Sequence, residues 1–156
     1  MYNMSTQSAA VHSVIFTIGT TSKNTFDDWH MIPSERPVIA PPEVKENYVD
    51  IPGADGFLDL TEAISSRPVY GPREGTLDFM IQTAGIQTSW ATLYSEIMTF
   101  LHGKSGKLVL EDDPGYYYEG RFKVNPWKSE ESWSTIAIDY KLSPYKTNST
   151  NNTKTL

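Results

Sequence analysis

The chain has 156 residues, a formal net charge of -6 and no cysteine, which suits one domain with a core of its own and excludes disulfide frameworks, thiolate zinc sites, iron–sulfur clusters and cysteine nucleophiles. The acidic balance argues against a phosphate-binding surface, which needs clustered Lys and Arg. Aromatics reach 12% against a hydrophobic fraction of 38%, so burial is concentrated in large flat side chains, a composition that favours sheets.

The segment Met1–His12 is polar, without Lys or Arg. The apolar run after it, Val14–Ile18, is too short for a signal core or a bilayer span. The chain therefore reads as cytosolic and not membrane-inserted. Residues 1–12 and 146–156 are rich in Ser, Thr and Asn and are expected to be flexible tails around a domain spanning 13–145. Glycosylation patterns at Asn148 and Asn151 matter only in a secreted chain.

Val14-Ile15-Phe16-Thr17-Ile18 reads as a first strand closed by Gly19. A turn through Ser22–Asn24 leads to a second short element over Thr25–Trp29. From Pro33 to Pro42 the prolines remove amide donors and force extended backbone, so this stretch is an arm or an edge segment. Val44–Ile51 alternates apolar with polar and ends in the turn Pro52–Gly56, the pattern of a half-buried strand. Another strand lies near Gly75–Ile81, with Leu77, Phe79 and Ile81 on one face. One helix is predicted over Ser89–His102, with Ser89 as N-cap, Gly103 as stop and Trp90, Leu93, Tyr94, Ile97 and Leu101 as its core face. Strands at Lys107–Glu111, Tyr116–Val124 and Ser134–Leu142 complete the chain, the first two joined by the turn Asp113-Pro114-Gly115. Strands around one helix, without βαβ alternation, predict a mainly antiparallel β-sandwich or split barrel of α+β type with one packed helix.

Candidate chemistry is sparse. The acidic groups Asp27-Asp28, Glu111-Asp112-Asp113 and Glu130-Glu131 sit in turns, and adjacent strand residues point to opposite faces, which argues against acid–base catalysis. His12, His30 and His102 are isolated and lack metal-ligand spacing; His102 suits the C-terminal end of the helix dipole. Gly71–Gly75 has the wrong spacing for a phosphate loop, and no serine sits in a nucleophile-elbow motif. No cofactor or metal is expected, and no enzymatic activity. The aromatics Tyr116, Tyr117, Tyr118, Trp127 and Trp133 suit either packing or a surface contact; as a stacking platform, Tyr116, Tyr118, Trp127 and Trp133 would make a carbohydrate-binding module.

The stretch Asn24–Pro33, then Arg36-Pro37, Pro41–Lys45, Tyr48–Gly56 and Leu58–Glu62 resembles the distal tail proteins of siphophages and prophages. So do Pro68–Gly71, Arg73-Glu74-Gly75, Tyr94–Met98, Leu101-His102-Gly103 and Leu110–Arg121. The resemblance runs in order from about Val14 to Tyr145 and implies a tail-tube-like fold that assembles into a hexameric ring at the distal end of the tail tube. Such a ring joins the tube to tail-tip or baseplate proteins and lets DNA pass as cargo. It implies a virion protein assembled in the host bacterial cytoplasm, with itself, the tail tube protein and the tip proteins as partners. Many members add a C-terminal carbohydrate-binding-like domain, for which this chain has no room. Proline arms, exposed strand edges and surplus aromatics suit ring contacts. The expected subunit contacts are Pro33, Arg36, Pro37, Pro41, Pro42 and Val44 on the arm, Asp55 in the loop, and Asp113, Tyr116 and Tyr118 at the hairpin. A tail tube or tube-terminator protein of the same fold is the alternative.

Overall fold

The computed structural model describes residues 11–82, 89–130 and 132–156. Strand β1 (Val14–Ile18) turns at Gly19 into β2 (Thr21–Asn24), and β3 (Ile32–Pro33) follows; β4 (Tyr48–Asp50) and β5 (Phe57–Asp59) form a separate hairpin. Then come β6 (Arg73–Gln82), helix α1 (Trp90–Leu101), β7 (Ser105–Leu110), β8 (Tyr116–Val124), β9 (Lys128–Ser129), β10 (Trp133–Leu142), β11 (Lys146–Asn148) and β12 (Lys154–Thr155). The main sheet runs β2-β1-β7-β8-β10-β6-β3, with β9, β11 and β12 branching from it. Its neighbouring strands are antiparallel, as the predicted antiparallel β fold with one packed helix requires.

Alternation sets the inner face. Along β10, Ser134, Ile136, Ile138, Tyr140 and Leu142 are buried, and Ile136 and Ile138 stand opposite Phe79 and Leu77 of β6. Val14, Phe16, Leu108, Leu110, Tyr118, Phe122 and Val124 extend this apolar layer across β1, β7 and β8, with Phe16 and Phe122 meeting edge to face at 5.0 Å. Helix α1 closes the layer with Leu93, Ile97 and Leu101, and Trp29 packs against Phe100 at 5.8 Å. Ser89 caps the helix by accepting the Thr92 amide, and Gly103, at φ 75, supplies the left-handed turn that ends it.

Trp90 departs from the expected core face. It is 51% exposed in the first turn and lies against Trp127 at 6.0 Å, so its ring covers a residue at the margin of the core and does not enter the core itself. Tyr94 is half-buried, its hydroxyl donating to the Asn125 carbonyl at 3.2 Å.

Three other expectations are corrected. The turn and the element expected over Ser22–Trp29 exchange places: Ser22–Asn24 is part of strand β2, paired with β1, and Thr25–Trp29 is a turn, in which the Asn24 side-chain oxygen accepts the Phe26 and Asp27 amides and Asp28 accepts the Asn24 amide. Val44–Ile51 contributes only the three residues of β4, all exposed, because its partner β5 is a free hairpin strand and not part of the main sheet. Residues 146–156 are built into the sheet: β11 pairs with β8 and with β12. Asn148 accepts the Thr150 and Asn151 amides to make the turn between them, and Thr147 is buried. Polar side chains thus hold a strand pair that carries no apolar pattern. The expected N-terminal tail lies mostly outside the described residues, but His12 is fixed through its Nδ1 to Asp112 at 2.7 Å.

Glycine shapes the end of the sheet. Gly106 and Gly120 face each other across β7 and β8, and a β-carbon on either would overlap backbone of the flanking strand, Thr17 on one side and Lys141 on the other. The strands approach closely here because neither glycine carries a side chain.

Candidate assembly surface

The arm between β3 and β4 is anchored at its middle. The Ala40 amide donates to the Tyr140 hydroxyl at 2.8 Å, and the Ala40 carbonyl accepts from Arg73 Nη1 at 3.1 Å. Arg73 is buried at 6% exposure; its Nε donates to the Pro144 carbonyl at 3.0 Å and its guanidinium lies 5.4 Å from the centre of the Tyr118 ring. Two carbonyls and an aromatic face therefore satisfy this buried cation, and it ties the arm to the segment following β10. Farther along, Glu43 and Gly71 exchange backbone hydrogen bonds with one another's neighbourhood, Gly71 donating to Glu43 at 2.7 Å and Glu43 to Pro72 at 3.2 Å. Val38 (72% exposed) and Val44 project from this fixed backbone.

Beyond the arm, β4 and β5 pair only with each other among the described residues. Gly53 (φ 80) and Gly56 (φ 78) allow the reversal between them. Tyr48, Val49, Ile51, Phe57 and Leu58 are all exposed, with Tyr48 and Phe57 edge to face at 4.8 Å, and Ile64 is wholly exposed. Exposed apolar side chains are thus concentrated on this hairpin, the kind of patch that qualifies as a candidate contact surface.

The acidic turn after β7 serves three separate segments. Glu111 accepts the Ser13 amide at 2.6 Å and its hydroxyl at 3.0 Å; Asp112 meets His12 and, at 3.5 Å, Arg36; Asp113 accepts from Lys146 at 2.6 Å. The carboxylates diverge and hold the N-terminal strand, the arm and the C-terminal hairpin. The Lys146 ammonium also lies 4.6 Å from the centre of the Tyr116 ring, and its pKa is raised, first by the hydrogen bond to Asp113 and against the opposing effect of burial.

On the solvent side of β7, β8 and β10 lies an open trough of about 810 Å³ bordered by Lys45, Tyr70, Lys107, Glu119, Arg121 and Lys141. It is broad and open to solvent, unlike the enclosed clefts that hold small molecules.

Among the predicted contact residues, Arg36, Pro41, Val44 and Asp55 are exposed, and Pro33, Pro42, Asp113 and Tyr116 are half-buried. Pro37 and Tyr118 are buried and cannot serve as contacts: Pro37 is covered within the arm, and Tyr118 belongs to the inward-facing set of β8 under Arg73. The structure joins Arg36 to Asp112 and leaves Asp55 remote on the hairpin tip. Phe57, Leu58, Val38 and the basic side chains of the trough were missed, since nothing in a local pattern separates an exposed apolar strand from a half-buried one. Among the described residues no group of three or more His, Asp or Glu could hold a metal, and no helix is long and apolar enough to cross a membrane. His102 turns its Nδ1 to accept the Val124 amide at 3.0 Å, so it joins the helix end to β8 by a hydrogen bond. Glu131 lies outside the described residues.

No protein-family model and no curated protein matches the chain. Its fold is similar to that of a solved structure, the SPP1 Dit (gp 19.1) protein, described as a paradigm of the hub adsorption apparatus in phages infecting Gram-positive bacteria: TM-score 0.64 at 16% sequence identity, over 89% of this chain. The chain spans 53% of the length of that protein. The likeness is one of fold.

Proposed function

We propose that this protein is a structural component of a phage-type tail tip that forms a hexameric ring at the distal end of the tail tube and connects the tube to tip or baseplate proteins. The observation that carries the reading is the fold likeness to the Dit hub protein over 89% of the chain, in company with the ordered series of distal-tail-like motifs. The arm and hairpin support it. Arg36, Pro41, Val44 and the β4–β5 hairpin present apolar and polar groups on backbone pinned at Ala40, which is what a head-to-tail contact between copies needs. The ring would be built in the host cytoplasm and carried in the virion, with DNA passing through it.

The test is molar mass by light scattering after size exclusion over a range of concentrations, with electron micrographs of the peak. A closed species of about six subunits is the expected result. A monomer that stays monomeric with the purified tube protein present would overturn the reading. A tail tube or tube-terminator role uses the same fold, and copy number per particle separates it from a hub. A sugar-stacking platform would have few free rings: Tyr118 is buried, Lys146 lies over Tyr116, and Trp127 is flanked by Trp90 and Tyr94, which leaves Trp133, 37% exposed, without the other three beside it as open faces.

A further inference from the structure

Residues 46–66 contain five carboxylates, Glu46, Asp50, Asp55, Asp59 and Glu62, and no Lys or Arg. This one stretch thus holds most of the chain's net charge of -6. None of the five joins an ion pair among the described residues. The crowding is felt at Tyr48, whose hydroxyl is pushed above its ordinary pKa chiefly by Glu46, with Asp59 adding to it. The hairpin is therefore both acidic and apolar, and among the described residues its strands pair only with each other.

The trough on the outer sheet face has the opposite character. Lys107 and Arg121 line it together with Lys45 and Lys141, and Lys123 stands beside Arg121 in the adjoining hollow. Against these, Glu119 is the one carboxylate lining the trough among the described residues, and the adjoining hollow adds Asp139, opposite Lys123 and held by the Thr76 hydroxyl at 2.6 Å, and Glu74, paired with Lys141 at 3.2 Å; the cations still outnumber the carboxylates. Lys107 rests 4.4 Å from the Tyr117 ring, and Arg121 donates to the Gly103 carbonyl at 2.7 Å, which fixes both cations without neutralising either. The floor, at Gly71, Pro72, Gly106, Gly120 and Pro144, carries little side-chain bulk.

We propose that the β4–β5 hairpin of one copy seats in the trough over β7, β8 and β10 of the next copy. The two surfaces are complementary in charge, lie on different parts of one chain, and so define a head-to-tail contact that repeats. The proposal rests on the ring reading and names the surface that receives the hairpin.

The cysteine-free sequence permits a direct test. Full-length Leu58→Cys is mixed with Ser105→Cys or with Ser143→Cys under mild oxidation and run on a non-reducing gel. Leu58 is exposed on the hairpin, and Ser105 and Ser143 line the trough. Disulfide-linked dimers in the mixtures, absent from each variant alone, are expected. In parallel, Lys107→Glu with Arg121→Glu should weaken self-association at least about tenfold, and adding Glu46→Lys with Asp59→Lys to the same chain should restore it. A ring that forms without either cross-link and tolerates the reversed trough overturns this contact and leaves the ring reading standing. Cross-links without a closed ring keep the contact and overturn the ring; neither ring nor cross-link overturns both.

Discussion

The hydroxyl of Tyr140 occupies the space that a side chain at Gly75, directly opposite on β6, would fill, and from that position it accepts the Ala40 amide at 2.8 Å. A missing side chain on one strand thus lets an aromatic ring on its neighbour reach across and fix the arm. Gly75→Ala should displace the ring and cost about 1–3 kcal/mol, as overpacking does, with new protease cleavage near Val38. Tyr140→Phe should lose only the hydrogen bond, about 1 kcal/mol. Urea unfolding and limited proteolysis measure both; a Gly75→Ala protein as stable as wild type would refute the steric relation.

Arg73 binds the Ala40 and Pro144 carbonyls with one guanidinium. Arg73→Lys keeps the charge but cannot make both bonds in this planar geometry. It should lose about 1.5–3 kcal/mol of stability in chemical denaturation, the range for hydrogen bonds to charged groups, and expose the arm and the C-terminal hairpin to hydrogen exchange together. Independent loosening of the two would show that Arg73 does not couple them.

Gly120→Ala should be severe, because the added carbon overlaps Lys141 backbone and the Leu142 side chain, and backbone can relieve this only by opening the sheet. Gly115→Ala, in the turn before β8, meets nothing within 4 Å and should stay within about 0.5 kcal/mol of wild type. Thermal melts of the pair provide an internally controlled measurement.

The Lys146–Asp113 pair gives an alkaline signature. The folded pKa of Lys146 lies above the ordinary lysine value, so its contribution is complete below the unfolded pKa and is lost as pH rises through the folded one. Melting temperatures of wild type and Lys146→Met, followed from about pH 8 to about pH 12, should differ at the lower end and converge at the upper. A constant difference across the range would mean that the charge does not matter there.

The sheet strands and the helix were legible because their periodicity is enforced by burial: Leu77, Phe79 and Ile81, or Ile136, Ile138 and Tyr140, alternate against a shared core. Elements held by polar side chains were not. β11 and β12 depend on Asn148 accepting amides, Thr147 accepting from Lys154 and Lys146 donating to Asp113, and Thr25–Trp29 is a turn because one asparagine accepts two amides locally. The candidate contact surface was half legible. Proline marked the arm, but the apolar side of the hairpin reads in sequence like any buried strand, and the basic trough gathers Lys107, Arg121 and Lys141 from three strands.

The strand order β2-β1-β7-β8-β10-β6-β3 also governs how a nascent chain matures. β1 has to wait for β7, and β6 for β10, so two incomplete half-sheets leave the ribosome with open edges. Only the late β8–β10 unit can join them. Joining the halves therefore has to wait for long-range strand pairing, and because β7, β8 and β10 also border the outer trough, that groove comes into being in the same step that finishes the sheet.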